Sequence, residues 1–277
     1  MRKKIGEIQK KLNKSGYCIV KNVLNPRICI QYASVLEKVA KKLKLNLNYK
    51  DELSKYGQVV IRDLVLRDPK NFLKLIDINL VSEVLKKVLK DKFILDNCMA
   101  SNSTSVKRNY KALVHIDSHI PSSEIKNTSD VVVLFCLDNF TKKNGATKIW
   151  PGSHLSGVRI QNEKKYLIRK KKFKFVEAPR GSVVFFLGQT WHQIGKNQDD
   201  ASRWGILCHY KRWWIKPSTD FTKCGPKVFK MLNNKQKELF GFNSISPKFN
   251  FKKQIKQLKT LRKISNIGKD YLKTLSY

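Results

Sequence analysis

Residues 181–195 read "GSVVFFLGQTWHQIG". Five apolar residues, Val183 to Leu187, stand between two turn signals, Arg180-Gly181 before them and Gly188 after. A run this short, β-branched and aromatic and bounded by glycine, predicts an apolar strand rather than a helix. Similar runs recur from Phe93 onward: "KFILDNCMAS", "YKALVHID", "VVVLFCLDNF", "ATKIWPGS", "KFKFVEAP" and "RWGILCHYKRWW". Asn-Gly, Pro-Gly, Arg-Gly and polar clusters separate them. Many short strands at such spacing predict a sandwich or a barrel.

The texture upstream differs. Residues 1–14 have the pattern of a short amphipathic helix ending near Gly16, and "YCIVKNVL" then alternates like a strand until Asn25-Pro26 breaks it. "RICIQYASVLEKVAKKLKL" carries apolar residues at helical spacing. "GQVVIRDLV" reads as a strand, and "DPKNFLKLIDINLVSEVLKKVLK" as one or two helices opened by Asp68-Pro69. The last sixty or so residues are basic and helical without clear periodicity. These features predict a mainly β fold with flanking helices (α+β) and one domain over 1–277. Its parts are a helical N-terminal portion 1–92, a β core over about 93–215, and a helical basic tail 216–277.

Composition limits the class of function. The chain has 277 residues, 41% of them hydrophobic, which suits a globular domain with a substantial core. Its 57 Lys+Arg against 21 Asp+Glu give a net charge of +36. Such a field favours anionic partners, including nucleic acid, anionic lipid and nucleotide-activated or CoA-linked metabolites. The excess is spread along the whole chain, so a compositional bias accounts for it better than a selected anionic partner does. None of the six cysteines forms a C-x-x-C pair, and several lie in apolar runs, as reduced thiols of an intracellular protein do. No apolar h-region follows the basic N-terminus, and "VVVLFCL" (131–137) is far too short to span a bilayer. The expected location is the cytoplasm, with no membrane span.

Chemistry concentrates in three places. "HIDSH" (115–119) puts His115 and Asp117 on one face if the segment is a strand. Alone, an H-x-D is as readily a polar strand end as a metal claw. His192 follows the apolar run quoted above and adds a second imidazole. Two histidines and one carboxylate occupy one face of an octahedral ion and leave the others open, the facial triad of non-haem Fe(II) oxygenases. Eleven residues on (203 − 192), Arg203 opens "RWGILCHY". If that stretch pairs antiparallel beside the strand before His192, its guanidinium points inward and needs an anion, best a carboxylate bound in a fork. His119 shares the face of His115 and Asp117 and is a candidate substrate contact. Lys170, Lys171 and Lys172 could grip a phosphate or form a solvated strand edge.

Together "HID", "NGATKIWPGSH" (144–154) and "TWHQIGKNQDDASRWGILCHY" (190–210) resemble the phytanoyl-CoA dioxygenase family over roughly residues 10–245. The resemblance implies a double-stranded β-helix, or jelly roll. It implies Fe(II) and 2-oxoglutarate as cofactors, O₂ as co-substrate, and His115, Asp117 and His192 as metal ligands. It makes Arg203 the partner of the distal 2-oxoglutarate carboxylate, and places Met99, Asn102 and Arg62 around that cosubstrate. The chain departs from the family at Ile194, where many members carry a small hydroxyl residue, and Thr147 is the candidate to replace it. A carboxylate at 117 also separates the chain from halogenases of this fold, which empty that position.

The implied reaction is hydroxylation of a small-molecule metabolite, with the positive field favouring an anionic one, and release of succinate and CO₂. A nucleic-acid hydroxylase of the same chemistry is the alternative enzyme; it calls for basic and aromatic residues clustered at the site, and the sequence shows no such cluster. A non-catalytic, cupin-like metal module is the other alternative, and it leaves Arg203 without a task.

Overall fold

The computed structural model describes residues 1–43, 45, 58–104, 112–118, 120, 128–157, 160 and 172–243. Residues 1–242 group into one compact unit, and residues 243–277 group separately.

Helix α1 (Arg2–Ser15) turns Ile5, Ile8 and Leu12 inward and ends at Gly16, whose φ of 80° returns its N–H to the Leu12 carbonyl. A Cβ at Gly16 would lie 2.6 Å from Thr190 Oγ1 and 2.7 Å from His154 Nδ1, so this end of α1 presses on the turn before His192. Strand β1 (Tyr17–Val20) follows. Asn25 then starts helix α2 (Pro26–Lys42) by accepting the Arg27 N–H, with proline in the first turn. We expect Asn25→Ala to cost about 1 kcal/mol. That loss would appear as a lower denaturant midpoint with unchanged slope.

Strand β2 (Gln58–Ile61) is shorter than the sequence pattern suggested. Residues Leu64–Arg67 turn into helix α3, and Asp68 caps α4 (Pro69–Phe72) through the Asn71 N–H. Helix α5 (Asn79–Leu89) buries Val81, Val84, Leu85, Val88 and Leu89. The β core comprises β3 (Phe93–Ser103), β4 (Asp130–Cys136), β5 (Lys148–Ile149), β6 (Lys174–Phe175), β7 (Val183–Leu187), β8 (His192–Gln193) and β9 (Arg203–Arg212). Two short helices, α6 (Gly225–Phe229) and α7 (Asn234–Leu239), close the described chain.

The strands form two antiparallel sheets, ordered β1-β7-β4-β9-β3-β2 and β6-β5-β8. This is the expected jelly roll, mainly β with flanking helices. Arg203 does not sit on a neighbour of the strand preceding His192, as the sequence suggested; β4 lies between β7 and β9. The continuous apolar runs are explained by burial on both faces. Val131, Val133 and Phe135 of β4 pack with α1, α2 and α5, whereas Val132, Leu134 and Cys136 join Phe140, Ile149 and Val176 between the sheets. Towards β9, β3 and β2 polar side chains, among them Gln58, Ser101, Arg203 and His209, join the apolar inter-sheet layer, and a cavity opens there.

A register shift between Leu95 and Asn97 makes that change possible. One extra residue reverses which side chains face inward. Leu95, Cys98 and Ala100 therefore face the helices, and Met99 and Ser101 face the cavity.

Candidate metal centre and cosubstrate cavity

The segment around His115 is held by two anchors. His115 and His192 exchange backbone hydrogen bonds of 2.9 and 3.0 Å in an isolated antiparallel bridge. Beyond it the chain bends, and the Asp117 and Ser118 N–H groups both donate to the Gly188 carbonyl at 2.9 Å. His115 and Asp117 thus do not share the face of a regular strand, as the sequence pattern suggested. The bend after the bridge carries the carboxylate to the imidazoles.

His115, Asp117 and His192 each offer one ligand atom, all within 4.8 Å of one another. Asp117 Oδ1 lies 3.6 Å from His115 Nε2, and Asp117 Oδ2 lies 3.4 Å from His192 Nε2. The two rings are 4.2 Å apart between centroids. Nδ1 of His115 meets the Leu113 carbonyl at 3.1 Å, and Nδ1 of His192 meets the Thr190 carbonyl at 3.0 Å. A carbonyl only accepts, so each Nδ1 carries the proton and each Nε2 presents a lone pair. Adjacent positions on an octahedral ion with bonds of about 2.1 Å lie about 3 Å apart. The donor set, tautomers and spacing fit a divalent transition metal with three open positions. Burial, partly opposed by Asp117 and reinforced by His115, pushes His192 down to about 4, so its ring is neutral near pH 7, as a ligand must be.

Beside the triad lies a cavity of about 470 Å³ between the sheets. Its floor is one face of β9, with Arg203, Gly205, Leu207 and His209 spaced by two along the strand. Arg203 is buried and has its fork oriented by the backbone: Nε donates to the Asn144 carbonyl at 3.2 Å and Nη2 to the Gly145 carbonyl. Its guanidinium lies 3.8 Å from the Phe140 ring centroid. Gly145, at φ 79°, allows this seat, since a Cβ there would stand 2.7 Å from the Gly195 carbonyl oxygen and 2.9 Å from Asn197 N.

Of the other residues singled out from sequence, Met99, Arg62, Thr147 and Ile194 line this cavity. Asn102 does not. It is fully buried, its Nδ2 bonds Ser202 Oγ at 3.1 Å, and its neighbour Ser101 takes the inward position. Strand alternation forces that choice, because Met99 and Ser101 share a face. His119, Lys170 and Lys171 lie outside the described residues, and Lys172 is exposed. His154 is buried and bonds the Asn13 carbonyl at 3.0 Å, tying the turn after β5 to α1. The sequence reading overlooked His209, although its even spacing from Arg203 was a usable signal.

Asp96, at the register shift, forms a buried ion pair of 2.7 Å with Lys211. Burial would raise its pKa, but Lys211 and the Ser218 N–H outweigh it and hold the carboxyl below its ordinary range.

Comparison with known proteins places the chain in a family and identifies solved structures of the same fold. Residues 12–205 match the family described as phytanoyl-CoA dioxygenase. An uncharacterised protein of Mycobacterium tuberculosis is 25% identical over 228 residues, covering 79% of this chain and 80% of its own. Many solved structures share the fold, and two serve as examples. The non-haem α-ketoglutarate-dependent carbocyclase SnoK from nogalamycin biosynthesis has a TM-score of 0.60 at 17% identity, over 74% of this chain and 83% of its own. HygX from Streptomyces hygroscopicus, solved with nickel and 2-oxoglutarate bound, has a TM-score of 0.60 at 13% identity, over 76% and 88%.

Proposed function

We propose, on the premise that this chain belongs to the phytanoyl-CoA dioxygenase family, that it hydroxylates a small-molecule metabolite with release of succinate and CO₂. Its class is that of non-haem iron, 2-oxoglutarate-dependent dioxygenases. His115, Asp117 and His192 would hold the iron, and Arg203 would bind the distal carboxylate of 2-oxoglutarate. The bound metal and cosubstrate supply the oxidising power, using O₂. The protein residues bind, orient and exclude water. Arg203 fixes one end of the cosubstrate through a charge-assisted fork. The apolar walls formed by Leu134, Phe186, Ile194 and Leu207 keep the other end dry.

One observation carries this reading: two imidazoles present Nε2 lone pairs on either side of one carboxylate, at the mouth of a cavity that contains a buried arginine. We take the chain as a single dioxygenase domain. Among the described residues no helix is long and apolar enough to cross a membrane. All six cysteines are free thiols, which supports a cytoplasmic location.

The test is an anaerobic titration of the Fe(II) protein with 2-oxoglutarate, followed by the metal-to-ligand charge-transfer band, and then aerobic succinate release across a metabolite panel. Wild type should show the band. Asp117→Gly, which removes the carboxylate and keeps both histidines, should cut succinate release more than about 100-fold, beyond the usual effect of losing an outer partner of a ligand. Release at the wild-type rate would mean that another carboxylate holds the metal.

A further inference from the structure

A second cavity, of about 490 Å³, adjoins the first and shares Arg62, Met99, His115, Asp117 and His209 with it. Its remaining wall is largely polar, with Asp63, Asp96, Asn97, Ser218 and Thr219. Most of that wall is satisfied internally. Asp96 accepts from Lys211 Nζ and from the Ser218 N–H, and Asn97 Nδ2 donates to Asp96 Oδ2 at 3.1 Å. Thr219 Oγ1 donates to Asp63 Oδ1 at 2.9 Å.

Two atoms break the pattern. Asn97 Oδ1 and His209 Nε2 are buried and have no hydrogen-bond partner among the described residues. His209 as a whole is only 9% exposed. The two residues are direct partners across the β3–β9 ladder, at the first position after the register shift. Side chains so paired stand with Cβ atoms about 4.5–5.5 Å apart on one face. The extra residue at the shift is what turns Asn97 toward His209 and the cavity. Buried polar atoms are almost always paired, and an orphaned pair side by side beside a metal-binding triad points to a ligand.

The chemistry of the pair restricts that ligand. Asn97 Oδ1 only accepts, so the ligand must bring an O–H or N–H. His209 Nε2 donates or accepts according to tautomer, and a hydroxyl satisfies either. An alkyl chain in this place would leave both atoms desolvated and unpaired. We propose that the second cavity is the substrate chamber, and that it takes a small polyhydroxylated molecule whose neighbouring hydroxyls bond Asn97 Oδ1 and His209 Nε2. Because His209 lines both cavities, this grip holds the substrate carbon skeleton against the triad. The proposal rests on the dioxygenase reading above and names its substrate class.

The holoenzyme, loaded anaerobically with Fe(II) and 2-oxoglutarate, is mixed with monosaccharides, methyl glycosides and cyclitols, with fatty acyl-CoA thioesters as the contrasting set, and O₂ is then admitted. At least one polyhydroxylated compound should raise succinate release above the rate without substrate. For that compound His209→Leu and Asn97→Leu should each raise KM tenfold or more; in Asn97→Leu, whose residue lines only the second cavity, half-saturation by 2-oxoglutarate in the charge-transfer titration should move less than twofold. His209→Gln keeps a donor-acceptor amide near the same place and should recover most of the loss, which a packing defect would not allow. The proposal is overturned if a wild-type protein that shows the band responds to no polyhydroxylated compound, or only to the thioesters. It is also overturned if both leucine variants keep the wild-type KM. Absence of the band in wild type would instead overturn the dioxygenase reading, and this proposal with it.

Discussion

His115→Ala and His192→Ala should each abolish iron binding while leaving the fold in place. Each substitution deletes one Nε2 donor from a set of three. Loss of an outer partner of a ligand already costs about 10- to 100-fold in affinity, so loss of the ligand itself should exceed that range. His115 gives the cleaner test, since about half of its side chain is exposed and its removal opens little space in the core. His192 is buried against Phe186, with ring centroids 4.9 Å apart, so His192→Ala should also lower the unfolding temperature somewhat. Both variants keep the backbone bridge between residues 115 and 192, which needs no side chain. Iron content after anaerobic reconstitution is the measurement. Full occupancy in either variant would remove that residue from the metal site.

Arg203→Met should weaken 2-oxoglutarate binding by roughly 10- to 150-fold. A charge-assisted bond in a water-poor cavity contributes about 1.5–3 kcal/mol net, and each 1.4 kcal/mol is about a factor of ten. Iron affinity should hardly change, because the floor of the cavity, rather than the triad, carries the arginine. Arg203→Lys should recover only part of the loss, since an ammonium cannot make the forked contact. Arg203 also bonds the Asn144 and Gly145 carbonyls, so the variant releases that turn as well. An unfolding curve recorded beside the charge-transfer titration separates the two effects. Wild-type 2-oxoglutarate affinity in Arg203→Met would give the arginine a purely structural task at this turn.

Much of the molecule was legible in the chain because the relevant signals are local. Short apolar runs bounded by glycine or polar clusters marked β4 and β7, Asn25-Pro26 marked the end of a strand, and Asp68-Pro69 marked a helix start; in the fold both Asn25 and Asp68 cap a helix within three residues. His115, Asp117, His192 and Arg203 stood out by chemistry and spacing, and a buried arginine amid apolar residues was a strong signal because burial of a charge is costly. The resemblance suggested Met99 and Arg62 as cosubstrate neighbours, and the departure at Ile194 suggested Thr147; all three line the cavity beside the triad.

The misreadings share one cause. Pairing is non-local, and nothing near Arg203 states that β4, rather than β7, lies beside β9. Nothing near Asp117 states that the chain leaves the ladder after a single bridge, held by Gly188 some seventy residues away. Facing is decided by register, and one inserted residue reverses it for everything that follows. The sequence by itself determined a mainly β domain and singled out His115, Asp117 and His192 as candidate ligands and Arg203 as a buried charge, because periodicity and side-chain chemistry need no partner strand. Only the tertiary structure decided that Ser101 rather than Asn102 faces the cavity, and that the shift between Leu95 and Asn97 brings Asn97 opposite His209, because alternation along a strand acquires an inside and an outside only when the next strand is laid against it.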